Sequence, residues 1–482
     1  MNKKLSTFQI LFTVFSLITV NYLTINNNDT SQVLFVFIFL QLLLYAMNPL
    51  CAFVFCFVMN VNTMNNFSFL WSKFLTILFS FSIFIFNPKF LVLILKNNKL
   101  KIVFLWSIIF SFYVIIINIM SKTNVDYKII FNNFNIIFGF LIILPSYHFA
   151  IKQPKDFFIL LAFVSGTFLF VYYSNLIFNL NLFEIGDIKS SIDSDLTRLA
   201  GYDIRQFIIF YFFLIPAFIL TKAVPSIYKF CLIGIGLLAF LILVLGIYRL
   251  AMFYNFMGLL LSIYLIGKYV KIEQLFLRFI YVAVFLGFVI YFFKDYLVQF
   301  ERVYEGTFDY FNGKGEDKSA DERFLNQTPI LLAYINNNFW IGCGVVEATI
   351  MTKKEMFGFV DIPILGSLAK FGFIGMFIYY VRFYFILKDK MKLTRSYFFS
   401  INEQEKLLLY ILLTVRAYII SLITFRLFYI SWELAFDWQQ SEFGLLVGIF
   451  LALEHLTQQK KHTCRESLAN RPISIIINKI NR

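Results

Sequence analysis

The stretch 102–120, IVFLWSIIFSFYVIIINIM, runs nineteen residues without a charge, and comparable runs recur along the whole chain. A helix rises 1.5 Å per residue, so about 20 apolar residues reach across a hydrocarbon core of about 30 Å. Hydropathy places such runs at 6–25, 31–47, 49–60, 67–86, 102–120, 129–149, 157–180, 204–221, 230–247, 250–267, 279–293, 359–387, 407–426 and 436–456. Hydrocarbon offers the backbone no hydrogen-bond partner, so segments this long and apolar are expected as helices. The fold class predicted is an all-α polytopic integral membrane protein of about 12–14 transmembrane helices with one large external loop. Composition agrees: 60% of the 482 residues are hydrophobic and 15% charged, against about 25% charged in soluble domains. An ordinary soluble enzyme is excluded.

A net charge of +14 would raise nucleic acid as a partner for a soluble chain. Here the placement of charge decides instead. With the N-terminus inside, segments assigned to the cytoplasmic side hold twice as many Lys and Arg as external ones, where acids dominate. That asymmetry predicts both termini in the cytoplasm, hence 14 spans, or 12 with a re-entrant pair if Pro49 merely kinks the 31–59 stretch. Lys3 and Lys4 precede the first apolar run, but no small-x-small cleavage site follows it, so it reads as a span and not a leader. The predicted organisation is an N-terminal bundle (1–180), an external loop (181–203), central helices (204–293), a large external loop (294–358), C-terminal helices (359–456) and a basic cytoplasmic tail (457–482) lying against anionic lipid.

No P-loop, dinucleotide fingerprint, H-E-x-x-H or G-x-S-x-G elbow is present. The five cysteines lack metal-ligand spacing, which predicts neither zinc nor a disulfide. His148, His455 and His462 all fall at or beyond cytoplasmic span ends, leaving no external histidine to act as a base. What remains is a set of arginines near external span ends: Arg198, Arg205, Arg249, Arg323, Arg416 and Arg426. Guanidinium groups grip phosphate bidentately and stay charged, so such a set suits a pyrophosphate at the membrane surface. Arginines also snorkel to the interface with no ligand at all. Arg249 and Arg416 fit that second use less well, because both interrupt apolar runs and charge at depth usually marks a site. Of the carboxylates on the same face, Asp361 stands apart, beside Pro363 at the start of a span.

Four stretches in this order resemble the bacterial superfamily of O-antigen and capsule repeat-unit polymerases and O-antigen ligases. The first is TRLAGYDIRQF (197–207), like that family's R-x-x-G run with Gly201 at its turn, and the second is LILVLGIYRLAMFYNFMGLLL around Arg249. The third is ADERFLNQTPILLAYINNNFWIGCGVVEA (320–348), similar to the family's arginine, amphipathic helix and N-P-x-x-G-x-G; the proline is lost here, while Gly342 and Gly344 remain. The fourth is VDIPILGSLAKFGFIGMFIYY (360–380). Ligases of the superfamily carry a histidine near the position of Asp361, so its absence favours the polymerase branch.

The resemblance implies a GT-C-like membrane fold and a glycosyltransferase of the bacterial inner membrane. It would join undecaprenyl-pyrophosphate-linked oligosaccharide units into O-antigen or capsular polysaccharide, with no cofactor and no divalent metal. It implies pyrophosphate binding by Arg198, Arg205, Arg249, Arg323, Arg416 and Arg426, and chemistry by Arg249 with Asp361 or Glu347. Gly201, Gly342 and Gly344 would shape the loops, with a flippase and a chain-length regulator as partners alongside membrane lipid. A ligase, a polysaccharide-unit flippase or ion-coupled carrier, and a non-catalytic scaffold stay open as alternatives.

Overall fold

The computed structural model describes residues 5–26, 30–60, 97–120, 139–178, 189–193, 196–199, 206–245, 249–270, 322–344, 363–388, 401–426 and 437–469, with 287 and 398. The helices are α1 (Thr7–Asn26), α2 (Thr30–Met47), α3 (Pro49–Asn60), α4 (Asn98–Met120), α5 (Ile143–Lys152), α6 (Pro154–Phe178) and α7 (Gln206–Phe213). They continue with α8 (Ile215–Leu220), α9 (Ser226–Leu245), α10 (Arg249–Gly267), α11 (Thr328–Asn338), α12 (Pro363–Leu387), α13 (Glu403–Arg426) and α14 (Asp437–Ala469). A 3₁₀ turn, Gly139–Ile142, leads into α5, and a π-helical turn, Glu322–Gln327, leads into α11. The expected span at 67–86, and that at 279–293 apart from residue 287, lie outside the described residues.

Among the described residues, five helices are long and apolar enough to cross a membrane: Asn98–Met120, Pro154–Ser174, Ser226–Leu243, Leu365–Leu387 and Glu403–Thr424. The shorter apolar helix α1 fits a lipid surround as well. On α1 the outward residues Phe8, Leu11, Phe15 and Tyr22 are exposed, while Ile10, Leu17 and Val20 are buried. Faces as apolar outside as inside are what a hydrocarbon solvent permits and water does not. The chain is thus a helical membrane protein.

Of the two alternatives at 31–59, the structure has two helices, α2 and α3, matching the separate runs 31–47 and 49–60: Pro49 opens α3, and the Asn48 side chain accepts the Leu50 N–H at 3.0 Å as a cap. Three elements depart from the sequence expectation. The expected span 204–221 is two short helices meeting at Leu214, because Pro216 has no N–H to continue the ladder. The loop 181–203, expected to be external, contains an antiparallel hairpin, Lys189–Asp193 against Leu196–Leu199, bulged between Ser191 and Asp193, so the chain is not purely α. The last helix also runs on to Ala469, well into the segment expected as tail.

The core is one large apolar cluster shared by most helices. Within it α4 runs antiparallel to α12: Tyr113 meets Phe371, Phe110 packs on Tyr379, Trp106 stacks on Phe385, and Lys99 reaches the Lys388 carbonyl. Against the 3₁₀ turn and α5, α14 presents Gly444 and Gly448, four residues apart. A Cβ on Gly444 would lie 2.8 Å from the Gly139 carbonyl oxygen, and one on Gly448 2.6 Å from that of Ile143. This small-xxx-small face lets two backbones touch. Gly448→Ala should therefore cost about 1–3 kcal/mol through forced separation. Gly234→Ala, with nothing within 4 Å, should cost nothing, and equal melting shifts for the two in detergent would refute the packing argument.

Candidate functional site

The third and fourth stretches singled out in the sequence meet in the fold. After α11 ends at Asn338, the chain turns through Phe339, Trp340 and Ile341 and lies across α12, where that helix is broken. Gly372 there has φ 61° and ψ −179°, outside helical geometry. A broken helix frees backbone donors and acceptors, each costly in an apolar medium. The crossing segment supplies their partners. Cys343 N donates to Ala369 O at 2.8 Å and Gly344 N to Lys370 O at 2.9 Å, while Phe373 N donates to Phe339 O at 2.8 Å and Ile374 N to Trp340 O at 3.1 Å. From α4 the Tyr113 hydroxyl lies 2.9 Å from the Ile341 carbonyl and 2.7 Å from that of Phe371, and its single proton serves one of them at a time.

Glycine is required at this crossing for two reasons. Gly342 and Gly344 have φ of 83° and 85°, a region that L side chains avoid. Space adds to this, because a Cβ on Gly342 would overlap the Lys370 carbonyl and come within 2.5 Å of Gly372 N. Beneath the crossing, Leu331, Ile335, Cys343 and Ala369 form a small separate core. Lys370 is buried beside the break, 4% exposed.

The other expected site residues distribute unevenly. Arg323 belongs to the π-helical turn leading into α11, so it stands one helix away from the crossing in sequence. Arg249 is the first residue of α10, Arg198 lies in the hairpin strand paired with Ser190, and Arg426 ends α13. Asp361, Glu347, Arg205 and Gly201 lie outside the described residues. Arg416 is not gathered at the crossing: its Nη2 donates to the Leu387 carbonyl at 3.3 Å, at the C-terminal end of α12, where a cation complements the helix dipole. Some fifteen residues of helix separate that end from Gly372, roughly 20 Å.

Sequence reading missed a set of buried charges. Lys99 and Glu454 form an ion pair of 2.6 Å with side chains only 7% and 8% exposed, and Lys99 Nζ also donates to Lys388 O at 3.0 Å. Asn97 caps α4, its Oδ1 accepting from Lys99 N and Leu100 N, and its Nδ2 reaches Tyr147 Oη at 2.9 Å and His455 Nδ1 at 3.4 Å. Higher in the same bundle, the Arg382 guanidinium sits among the rings of Phe110, Tyr379, Phe383 and Phe443, with its carbon 4.6–5.8 Å from their centroids. Cation–π attraction of this kind is strongest where water is excluded. Glu442, next to Phe443, is fully buried. The available signal was charge inside apolar runs: Arg382, Glu442 and Glu454 all interrupt expected spans, as Arg416 does.

No protein-family model matches this chain, and no curated protein matches it.

Proposed function

We propose that the chain is a polymerase of lipid-linked oligosaccharide units, acting at the external face of a bacterial inner membrane with both termini in the cytoplasm. The observation that carries this reading is the crossing itself. Two stretches resembling polymerase motifs, 320–348 and 360–380, are zipped together by four backbone hydrogen bonds beside Gly342 and Gly344, the glycines the resemblance retains. Under this reading Arg249, Arg323, Arg198, Arg205 and Arg426 hold donor and acceptor pyrophosphates from the surrounding span ends. A sugar hydroxyl of the incoming unit attacks the anomeric carbon of the growing chain. That carbon–oxygen bond breaks, and the lipid pyrophosphate departs with its charge stabilised by guanidinium groups. Asp361 or Glu347 takes the hydroxyl proton. Arg416 serves α12 at its other end and is left out of the phosphate set.

The test is direct. Purified protein in detergent, given lipid-linked repeat units, should lengthen them with EDTA present and no nucleotide sugar, because the bond energy already resides in the pyrophosphate linkage. Arg249→Lys keeps the charge and loses the planar fork, so its rate should fall about 10²-fold. Full activity in Arg249→Ala would end the phosphate assignment.

A second reading, a carrier, draws on the charges buried between α4, α12 and α14, since ionisable groups inside a bundle often line a transport path. Deleting a polymerase leaves single lipid-linked units delivered outside, whereas deleting a flippase traps them within. That outcome separates the two.

A further inference from the structure

From Leu325 to Gly344 the chain carries no charged residue. Within this stretch α11 turns Leu331 and Ile335 onto the small core under the crossing. Leu325 in the π-helical turn, Leu332 in α11 and Phe339 just past its end form an apolar stripe along the segment. That stripe points away from the protein, with Leu325 69%, Leu332 43%, Phe339 41% and the adjoining Trp340 61% exposed. The stripe does not end at the turn. Phe339 stacks on Phe373 of α12 with centroids 6.0 Å apart, and Trp340 stands edge-on to the same ring at 5.8 Å. Phe373, Ile374 and Phe377 then carry an exposed apolar face down a helix able to cross the membrane.

We propose that Leu325–Ile341 is an in-plane membrane seat, with this stripe immersed at the boundary between headgroups and acyl chains. The occupant is bilayer lipid. An apolar face continuous with the outward face of a spanning helix meets the same solvent as that face, and a Trp–Phe pair at the junction suits the depth where aromatic side chains anchor. The exposed Asn336, Asn337 and Asn338 give the segment a polar border without charge. Interfacial helices commonly use Lys and Arg to bind anionic lipid. This one has neither, so it is held by apolar area, and its seating is independent of anionic lipid content. The seat does not depend on the polymerase reading; a carrier or a scaffold with it would behave identically.

A variant retaining only Trp340, with Trp71, Trp106, Trp432 and Trp438 replaced by Phe, tests the depth. In vesicles of brominated phosphatidylcholine, Trp340 emission should be lost most with bromine near the headgroups and less with bromine near the acyl ends. Aqueous acrylamide should quench little, and adding anionic lipid should change nothing. Wild-type protein supplies a second measurement free of substitutions. A phospholipid with a photoreactive acyl chain should leave adducts on peptides from Leu325–Ile341 as well as on 373–384. Adducts on α12 alone, or Trp340 untouched by either bromolipid, would overturn the seat. Protection from both lipid and acrylamide would place another protein surface there, and strong acrylamide quenching would make it a water-facing wall.

Discussion

Lys99→Met should destabilise the protein by about 3–5 kcal/mol, because it strands the Glu454 carboxylate in a site from which water is excluded. The pair is short, 2.6 Å, and both side chains are more than nine-tenths buried. Lys99 also holds the Lys388 carbonyl just past the end of α12. Losing it loosens three helices, α4, α12 and α14, at one end. The double variant Lys99→Met with Glu454→Met should recover most of the loss, since replacing a whole buried pair with apolar groups of similar volume is commonly neutral or better. Thermal unfolding in detergent, followed by size-exclusion chromatography, reads both. A single variant that melts with wild type would show the pair to be hydrated and unimportant, and a double variant as weak as the single would show that packing matters more than charge.

Gly342→Ala should open the crossing. Adopting positive φ costs an alanine about 1–2 kcal/mol, and the added methyl meets backbone on two sides, at the Lys370 carbonyl and Gly372 N. Neither neighbour can swing aside as a side chain would, because hydrogen bonds on both flanks hold them. Overlap of that kind adds about 1–3 kcal/mol. Gly344→Ala carries the conformational cost, but its nearest obstacle is the Asn118 side chain at 3.1 Å, so its effect should be smaller. Cys343, buried between these glycines, reports the outcome. With the other four cysteines removed, maleimide should modify Cys343 slowly in the parent protein, faster in Gly344→Ala and fastest in Gly342→Ala. An unreactive Cys343 in Gly342→Ala would mean that the crossing tolerates a Cβ and the geometry argument fails.

Much of the architecture follows from properties that are local in sequence. Run length and the scarcity of charge determine that the chain is a helical membrane protein, because a bilayer accepts little else. Asn48–Pro49 and Asn97 mark helix starts through short-range capping, and Gly342 and Gly344 stand out before any contact is known. Local reading did not see that Pro216 splits a span, although the missing N–H was there to notice, nor that a hairpin sits in the 181–203 loop. What only the tertiary structure decided is pairing. Lys99 and Glu454 are 355 residues apart, and nothing near either one specifies the other. The same holds for the break at Gly372: an isolated helix interrupted there would leave donors unpaired in hydrocarbon, and it is stable because residues 339–344 arrive from elsewhere in the chain to satisfy them. Gly444 and Gly448 likewise became an interface only when α5 came to lie on them. Hydrophobic run length is a property of one segment against its solvent, which sequence records. Hydrogen-bond satisfaction and charge neutralisation inside the bundle belong to pairs of segments, and they come into existence only when the chain is folded.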